Sequence, residues 1–227
     1  MSKTLDVAVV GASTLVGEVL VELLEQRDFP LGQLYLLDWG EAVGKRISFK
    51  NSYVGVQDIA GFDFSKVKLA LFTAGDEVAA EFVPQAVAKG CIVIDDSTVY
   101  RAQADIPLII PEINSDTIAA YTQQGIIASP GATTIQMLLC LQPLFAEVDI
   151  DHIKVTVCEA VSAHGRTAVE ELATQTANLL NARPIQSQVF ANQIAFNVLP
   201  HVNTIQQNGY SLAENQIVQE SRKITEN

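Results

Sequence analysis

The residues of this 227-residue sequence that could do chemistry begin with the turn Gly11-Ala12-Ser13-Thr14-Leu15-Val16-Gly17. It stands between a short apolar run and residues at helical spacing, where a helix presents unpaired N–H groups and the positive end of its dipole, a combination suited to a phosphate. Gly11, Ser13, Thr14, Leu15 and Val16 are therefore candidate cofactor-binding residues. The alternative, that Gly11 and Gly17 serve only a tight turn and close helix packing, stays open. A full dinucleotide turn has a middle glycine, whose missing side chain lets the backbone approach a pyrophosphate; Thr14 stands there, so binding of NAD or NADP is expected to be weak. Asp38 ends the second apolar run at the spacing where an acid commonly holds the adenosine ribose, which favours NAD over NADP. Within Asp38-Trp39-Gly40-Glu41 it reads equally well as a solvated turn acid.

The elements that must position these residues follow from periodicity. Leu5 to Val10 is a nearly continuous apolar run of the kind buried parallel strands show, and Val16, Leu20, Leu23 and Leu24 recur at helical spacing. Further strands are expected at Leu34 to Leu37, Val67 to Phe72, Cys91 to Ile94 and Gly125 to Ala128, with helices from Glu77 to Ala88 and Thr134 to Phe145. Such alternation predicts an α/β fold, a doubly wound Rossmann-type parallel sheet with right-handed crossovers, over residues 1–130. From Asp151 the texture changes. His152 to Ala160 alternates, Thr167 to Leu180 is helical, and Arg183 to Leu199 is an irregular stretch rich in Gln and Asn. Ser211-Leu-Ala-Glu214 is a capping box opening a helix with Ala213, Ile217 and Ile224 on one face, which then meets the last residue, Asn227. Residues 131–227 are expected to form an incomplete α+β domain short of strand partners.

Composition narrows the function. With 26 acids against 14 bases the net charge is -12, which repels nucleic acid and anionic membrane surfaces and leaves small molecules and proteins as partners. Cys91, Cys140 and Cys158 are odd in number and lie in apolar runs, so reduced, buried thiols in a cytoplasmic protein are expected, with no disulfide frame and no metal. The apolar run at the start is too short for a signal peptide or a membrane span.

Several segments together resemble aspartate-semialdehyde dehydrogenase over nearly the whole chain. The turn at 11–17 resembles that family's GATGAVG, Phe72-Thr73-Ala74-Gly75 its FSAG, Asp95-Asp96-Ser97-Thr98-Val99-Tyr100-Arg101 its DNSSAFR, and Pro107 to Asn114 its PLVVPEVN. Ala128-Ser129-Pro130-Gly131-Ala132-Thr133-Thr134-Ile135-Gln136 is similar to its ANPNCSTIQ, Ile194 to His201 to its IAFNVLPHI, and Asn208-Gly-Tyr210 to its NGYT. These segments fit the family better than the acetylglutamyl-phosphate reductases, which share fold and mechanism. The resemblance implies a cysteine nucleophile that attacks an acyl phosphate, a thioester reduced by NADPH, and a histidine that moves protons. It also implies cofactor contacts at Thr73, Ala74, Gly75 and, in the loop similar to SGAG, Ser162; a phosphate-binding arginine at Arg101; and an acid and lysine for substrate at Glu220 and Lys223.

The departures carry as much meaning. The nucleophile position is Ala132, the active-site glutamine position is Glu159, and Glu41 stands where an arginine usually faces the 2'-phosphate of NADP. The family's carboxylate-binding arginine and proton-shuttling histidine lie beyond the matched segments. Cys140 lies two helical turns past Ala132, about 12 Å along the axis, too far to replace it. Cys158 adjoins Glu159 on an expected strand and should face the other way. His164 is either a surface polar group or a substitute base. No catalytic set is intact, so the chain resembles the catalytically degenerate Usg-type members of the family. It is expected to form a homo-oligomer or to pair with an active paralogue. Two alternatives remain: an oxidoreductase using different groups, and a fragment of a longer protein.

Overall fold

Along β1 (Leu5–Val10) the side chains alternate between two cores. Val7 and Val9 pack with Val21, Leu24, Leu34 and Leu36, whereas Ala8 and Val10 pack with Phe72, Val83, Val93 and Leu138. A strand buried on both faces belongs inside a parallel sheet covered on both sides, which is why the run is apolar throughout. The computed structural model describes residues 4–145, 147–200 and 204–225; His201 and Asn227 lie outside them. The chain divides into two compact units, one running to Asp149 and taking in the chain again from Gln219, the other spanning Ile150–Val218.

The first unit carries α1 (Leu15–Gln26), β2 (Leu31–Asp38), β3 (Arg46–Phe49), β4 (Ser52–Asp58), β5 (Leu69–Phe72), α2 (Asp76–Ala88), β6 (Ile92–Asp95), α3 (Pro111–Asn114), β7 (Ile126–Ala128) and α4 (Ala132–Phe145). The sheet order is β3-β4-β2-β1-β5-β6-β7, with every pair parallel except β3 and β4. The order reverses between β1 and β5, which makes the carboxyl ends of those strands the switch point of the sheet. The expected doubly wound α/β fold is therefore present. The edge hairpin β3–β4 was not among the expected strands; its tip, Lys50 and Asn51, has φ of 45° and 60°, the left-handed pair that a two-residue hairpin turn requires.

The second unit is the partial domain. Among the described residues it holds α5 (Arg166–Leu180), the start of α6 (Leu212–Thr225) and a single isolated bridge between Ile205 and Ser211. The capping box forms as expected: the Ser211 N–H donates to Glu214 Oε2 at 2.6 Å, and the Glu214 N–H to Ser211 Oγ at 3.2 Å. The irregular stretch is organised by two buried polar side chains of α5. Glu171 Oε2 accepts from the N–H of Gln188 (2.7 Å) and Val189 (2.5 Å). Gln175 Oε1 accepts from Ile194 (3.0 Å) and Ala195 (3.2 Å), while its Nε2 donates to Gln186 O (3.0 Å) and Glu171 Oε1 (3.1 Å). Burial raises the Glu171 carboxyl, but backbone N–H groups of Val189, Gln188 and Phe190 outweigh it and hold the carboxyl below its usual range.

Three expectations need correction. Of the thiols only Cys91 is buried; Cys140 and Cys158 are exposed, one on the solvent side of α4 and the other in a stretch that no described residue covers. Residues 152–160 alternate in sequence yet form no ladder, since a strand needs a neighbour and the second unit offers none among the described residues. Cys158 and Glu159 are consequently both exposed and not assigned to opposite faces of a sheet.

Candidate functional site

The glycine turn sits at the switch point and is held from three sides. Gly11 has φ of +79°, and a Cβ there would lie 2.9 Å from the Cα and N of Ala74. A Cβ on Gly17 would lie 2.1 Å from the carbonyl oxygen of Gly11, so α1 rests directly on the turn. Thr14, with φ of -72°, is the N-cap: Oγ1 donates to Gly11 O at 2.8 Å and accepts from the Gly17 N–H at 2.9 Å. The Thr73 N–H donates to Val10 O at 2.9 Å, and Thr73 Oγ1 to Gly11 O at 3.2 Å, which brings Thr73, Ala74 and Gly75 beside the turn. Leu15 and Val16, the first residues of α1, have N–H groups without intrahelical acceptors. Those donors suit the phosphates of a dinucleotide, and Val16 is exposed.

Asp38 is only 3% exposed and braces this turn. Its Oδ2 accepts from Ser13 N (2.9 Å) and Ser13 Oγ (2.5 Å), and its Oδ1 from Trp39 N (3.0 Å). It is thus no solvated turn acid; both oxygens are committed to the loop. Glu41 is exposed three residues on.

The second cluster lies at the head of α4. Ala132 is the first helical residue and is exposed. Around that helix start the Glu220 carboxylate gathers three donors: Oε2 accepts from Gly131 N (2.8 Å) and Thr134 Oγ1 (2.6 Å), and Oε1 from Arg101 Nη1 (3.0 Å). An anionic group at a helix N-terminus is favoured by the helix dipole, and here that group is the protein's own carboxylate. Arg101 also donates from Nη2 to Asp96 O at 2.6 Å, while its Nε is buried with no acceptor among the described residues. Lys223, one turn past Glu220 on α6, donates to the carbonyls of Arg101 (2.9 Å), Gln103 (2.5 Å) and Ile106 (2.7 Å). Its three N–H bonds are spent on the loop that carries Arg101. Burial pushes its pKa below the usual lysine value, against an opposing pull from Asp105.

Sequence reasoning missed Asp95. It ends β6, is fully buried, and directs Oδ2 to Ser97 N (3.1 Å) and Ser97 Oγ (2.5 Å), while Oδ1 meets no donor among the described residues. Burial pushes its pKa up to about 6, Ser97 and Arg101 pull it down, and Asp96 adds to the rise. Asp-x-Ser directly after an apolar run was the available signal. Gly131 and Thr134 were missed as partners of Glu220, which no local pattern announces. Glu159, Ser162 and His164 belong to the second unit. Glu159 and Ser162 are exposed there. His164 is half-buried, edge-on to Phe190 at 5.3 Å, with Nε2 buried and unpartnered among the described residues, so it is not a plain surface group.

A doubly wound sheet with a phosphate-type turn at its switch point is the architecture of dinucleotide-binding α/β domains. This chain belongs to the semialdehyde dehydrogenase family: residues 6–121 match its NAD binding domain and residues 141–227 its dimerisation domain. It is 46% identical to an aspartate-semialdehyde dehydrogenase of Legionella pneumophila over 226 residues, covering 100% of this chain and 65% of that protein. It is 42% identical to a USG-1 protein homolog of Pseudomonas aeruginosa, covering 99% of this chain and 66% of that one. Among solved structures, aspartate semialdehyde dehydrogenase II from Vibrio cholerae, complexed with ASA, superposes with a TM-score of 0.97 at 41% identity, over 100% of this chain and 67% of that one. The chain thus spans about two thirds of the length of these relatives. No helix among the described residues is long and apolar enough to cross a membrane.

Proposed function

We propose that this chain is an aspartate-semialdehyde dehydrogenase relative without dehydrogenase activity, which keeps a weak nucleotide turn and an assembly role. The observation that carries this reading is Ala132 at the head of α4: a methyl group stands where the resemblance calls for a thiol, beside an otherwise closed Arg101–Glu220 pair. A bound dinucleotide would exchange hydride with a substrate carbon, but without a nucleophile no acyl-enzyme can form for it to act on. Arg101, Glu220 and Lys223 are then remnants of substrate recognition whose donors and acceptors have turned to one another and to the backbone. Residues 1–130 supply the nucleotide fold and residues 131–227 the assembly surface, in a cytoplasmic homo-oligomer or a pairing with an active paralogue.

The test is a coupled NADH and NADPH assay of phosphate-dependent aspartate semialdehyde oxidation on the parent and on Ala132→Cys, with mass spectrometry for an acyl-enzyme. Loss of a covalent nucleophile costs on the order of four to six decades in turnover, so the parent is expected to be silent. The new thiol, at a helix start that favours its thiolate, should react with an alkylating reagent without restoring turnover. Multiple turnovers by the parent overturn the reading. Rapid turnover by the variant alone would show that one atom, not the whole constellation, had been lost.

A further inference from the structure

Trp39 is the only tryptophan of the chain. It follows the last residue of β2, at the carboxyl edge of the sheet, where a doubly wound domain receives the adenosine half of a dinucleotide. Its side chain is 43% exposed, and among the described residues no other aromatic ring stacks on it. The backbone beneath it is fixed. It is extended, with φ of -136° and ψ of 168°, and its N–H donates to Asp38 Oδ1 at 3.0 Å. The indole is thus carried on the same carboxylate that holds Ser13 in the glycine turn.

That carboxylate differs from the acid that ordinarily reads the ribose at this position. A ribose hydroxyl needs an oxygen it can reach, yet Asp38 is 3% exposed and already accepts three bonds, two from Ser13 and one from Trp39. Giving up Ser13 for a hydroxyl would exchange one bond for another with little net gain.

We infer that the turn is an adenine-nucleotide site that reads the base and the phosphates but not the ribose 2'-hydroxyl, with the Trp39 indole as the stacking face for the base. The inference rests on the nucleotide reading above and names what that site recognises. Each part of the ligand meets a different feature. The N–H groups of Leu15 and Val16 at the start of α1 suit the phosphates. The indole suits a planar, uncharged ring, which a strongly acidic chain does not repel. Adenine is the base because residues 6–121 match an NAD binding domain. With Asp38 closed, its carboxylate does not distinguish ribose from 2'-deoxyribose.

The experiment titrates the full chain with ADP, 2'-deoxy-ADP and nicotinamide mononucleotide up to millimolar ligand. Binding is read by calorimetry and by tryptophan fluorescence, which in this chain reports on residue 39 alone. ADP and 2'-deoxy-ADP should bind alike and quench the fluorescence, whereas nicotinamide mononucleotide should do neither. Stacking of a base on an aromatic side chain contributes on the order of tenfold in affinity. Trp39→Leu should therefore weaken ADP by about that factor, and Trp39→Phe by less. A tenfold or greater preference for ADP over 2'-deoxy-ADP would return the ribose to Asp38. ADP bound with unchanged fluorescence, or at full affinity by Trp39→Leu, would place the base elsewhere. Nicotinamide mononucleotide bound as well as ADP would show that the site ignores the base. Each of these overturns the inference and leaves the nucleotide turn standing. Heat from none of the three ligands overturns both, and the comparisons on the parent chain decide even where a variant fails to fold.

Discussion

Asp95 places a titratable group in a setting that strongly disfavours its charge. Burial pushes its carboxyl up to about 6 from the ordinary 3.8, so the folded chain keeps a proton that the unfolded chain releases. The stabilisation is fully present below pH 3.8 and is lost as pH rises through about 6, a change on the order of 2–3 kcal/mol. Asp95→Asn removes the titration and keeps an oxygen for Ser97. Urea denaturation across that window should therefore show a flatter pH dependence in the variant than in the parent. An unchanged slope would assign the loss to other carboxylates. Nearby, Glu220 satisfies Gly131, Thr134 and Arg101 at once; deleting one partner of such a buried ion pair leaves the other charge uncompensated.

In the turn before α1 two substitutions separate capping from packing. Thr14→Ala loses the N-cap bond to Gly17 and should cost about 1 kcal/mol. Glycine to alanine within a helix ordinarily gains about 1 kcal/mol. At Gly17 the added methyl meets the Gly11 carbonyl at 2.1 Å, so the sign should reverse, with a loss of about 3 kcal/mol or more by thermal melting. A stabilised Gly17→Ala chain would show that α1 can lift from the turn. Elements such as α1, β1, β5 and α2 were legible in sequence because their burial repeats at the period of the element itself. The β3–β4 hairpin was not, since a short edge pair with one polar side lacks a long apolar run. The thiols misled because apolar neighbours imply burial only when the element carrying them is covered, and Cys158 lies on one that no described residue covers. The Arg101–Glu220 pair spans 119 positions and leaves no trace in local pattern.

For the molecule as a whole, charge is the quantity that decides ligand choice. A chain of net charge -12, with Glu41 exposed just past the Asp38 brace, meets a 2'-phosphate with like charge. Calorimetry should find NAD bound more tightly than NADP, by roughly tenfold for one such pair near a protein surface. Tighter NADP binding would show that Glu41 turns away or pairs with a cation. The Lys223 clamp bears on a different matter, the order in which the chain is made. Arg101 leaves the ribosome 122 residues before the lysine that fixes its carbonyl. At ordinary synthesis rates that is an interval on the order of ten seconds. Throughout it the nascent sheet must hold its central strands together while the Arg101 loop has neither of its anchors on α6. The first unit to be translated is therefore the last to be closed, and a pause or early stop in translation past residue 149 leaves a formed sheet with an unfinished site.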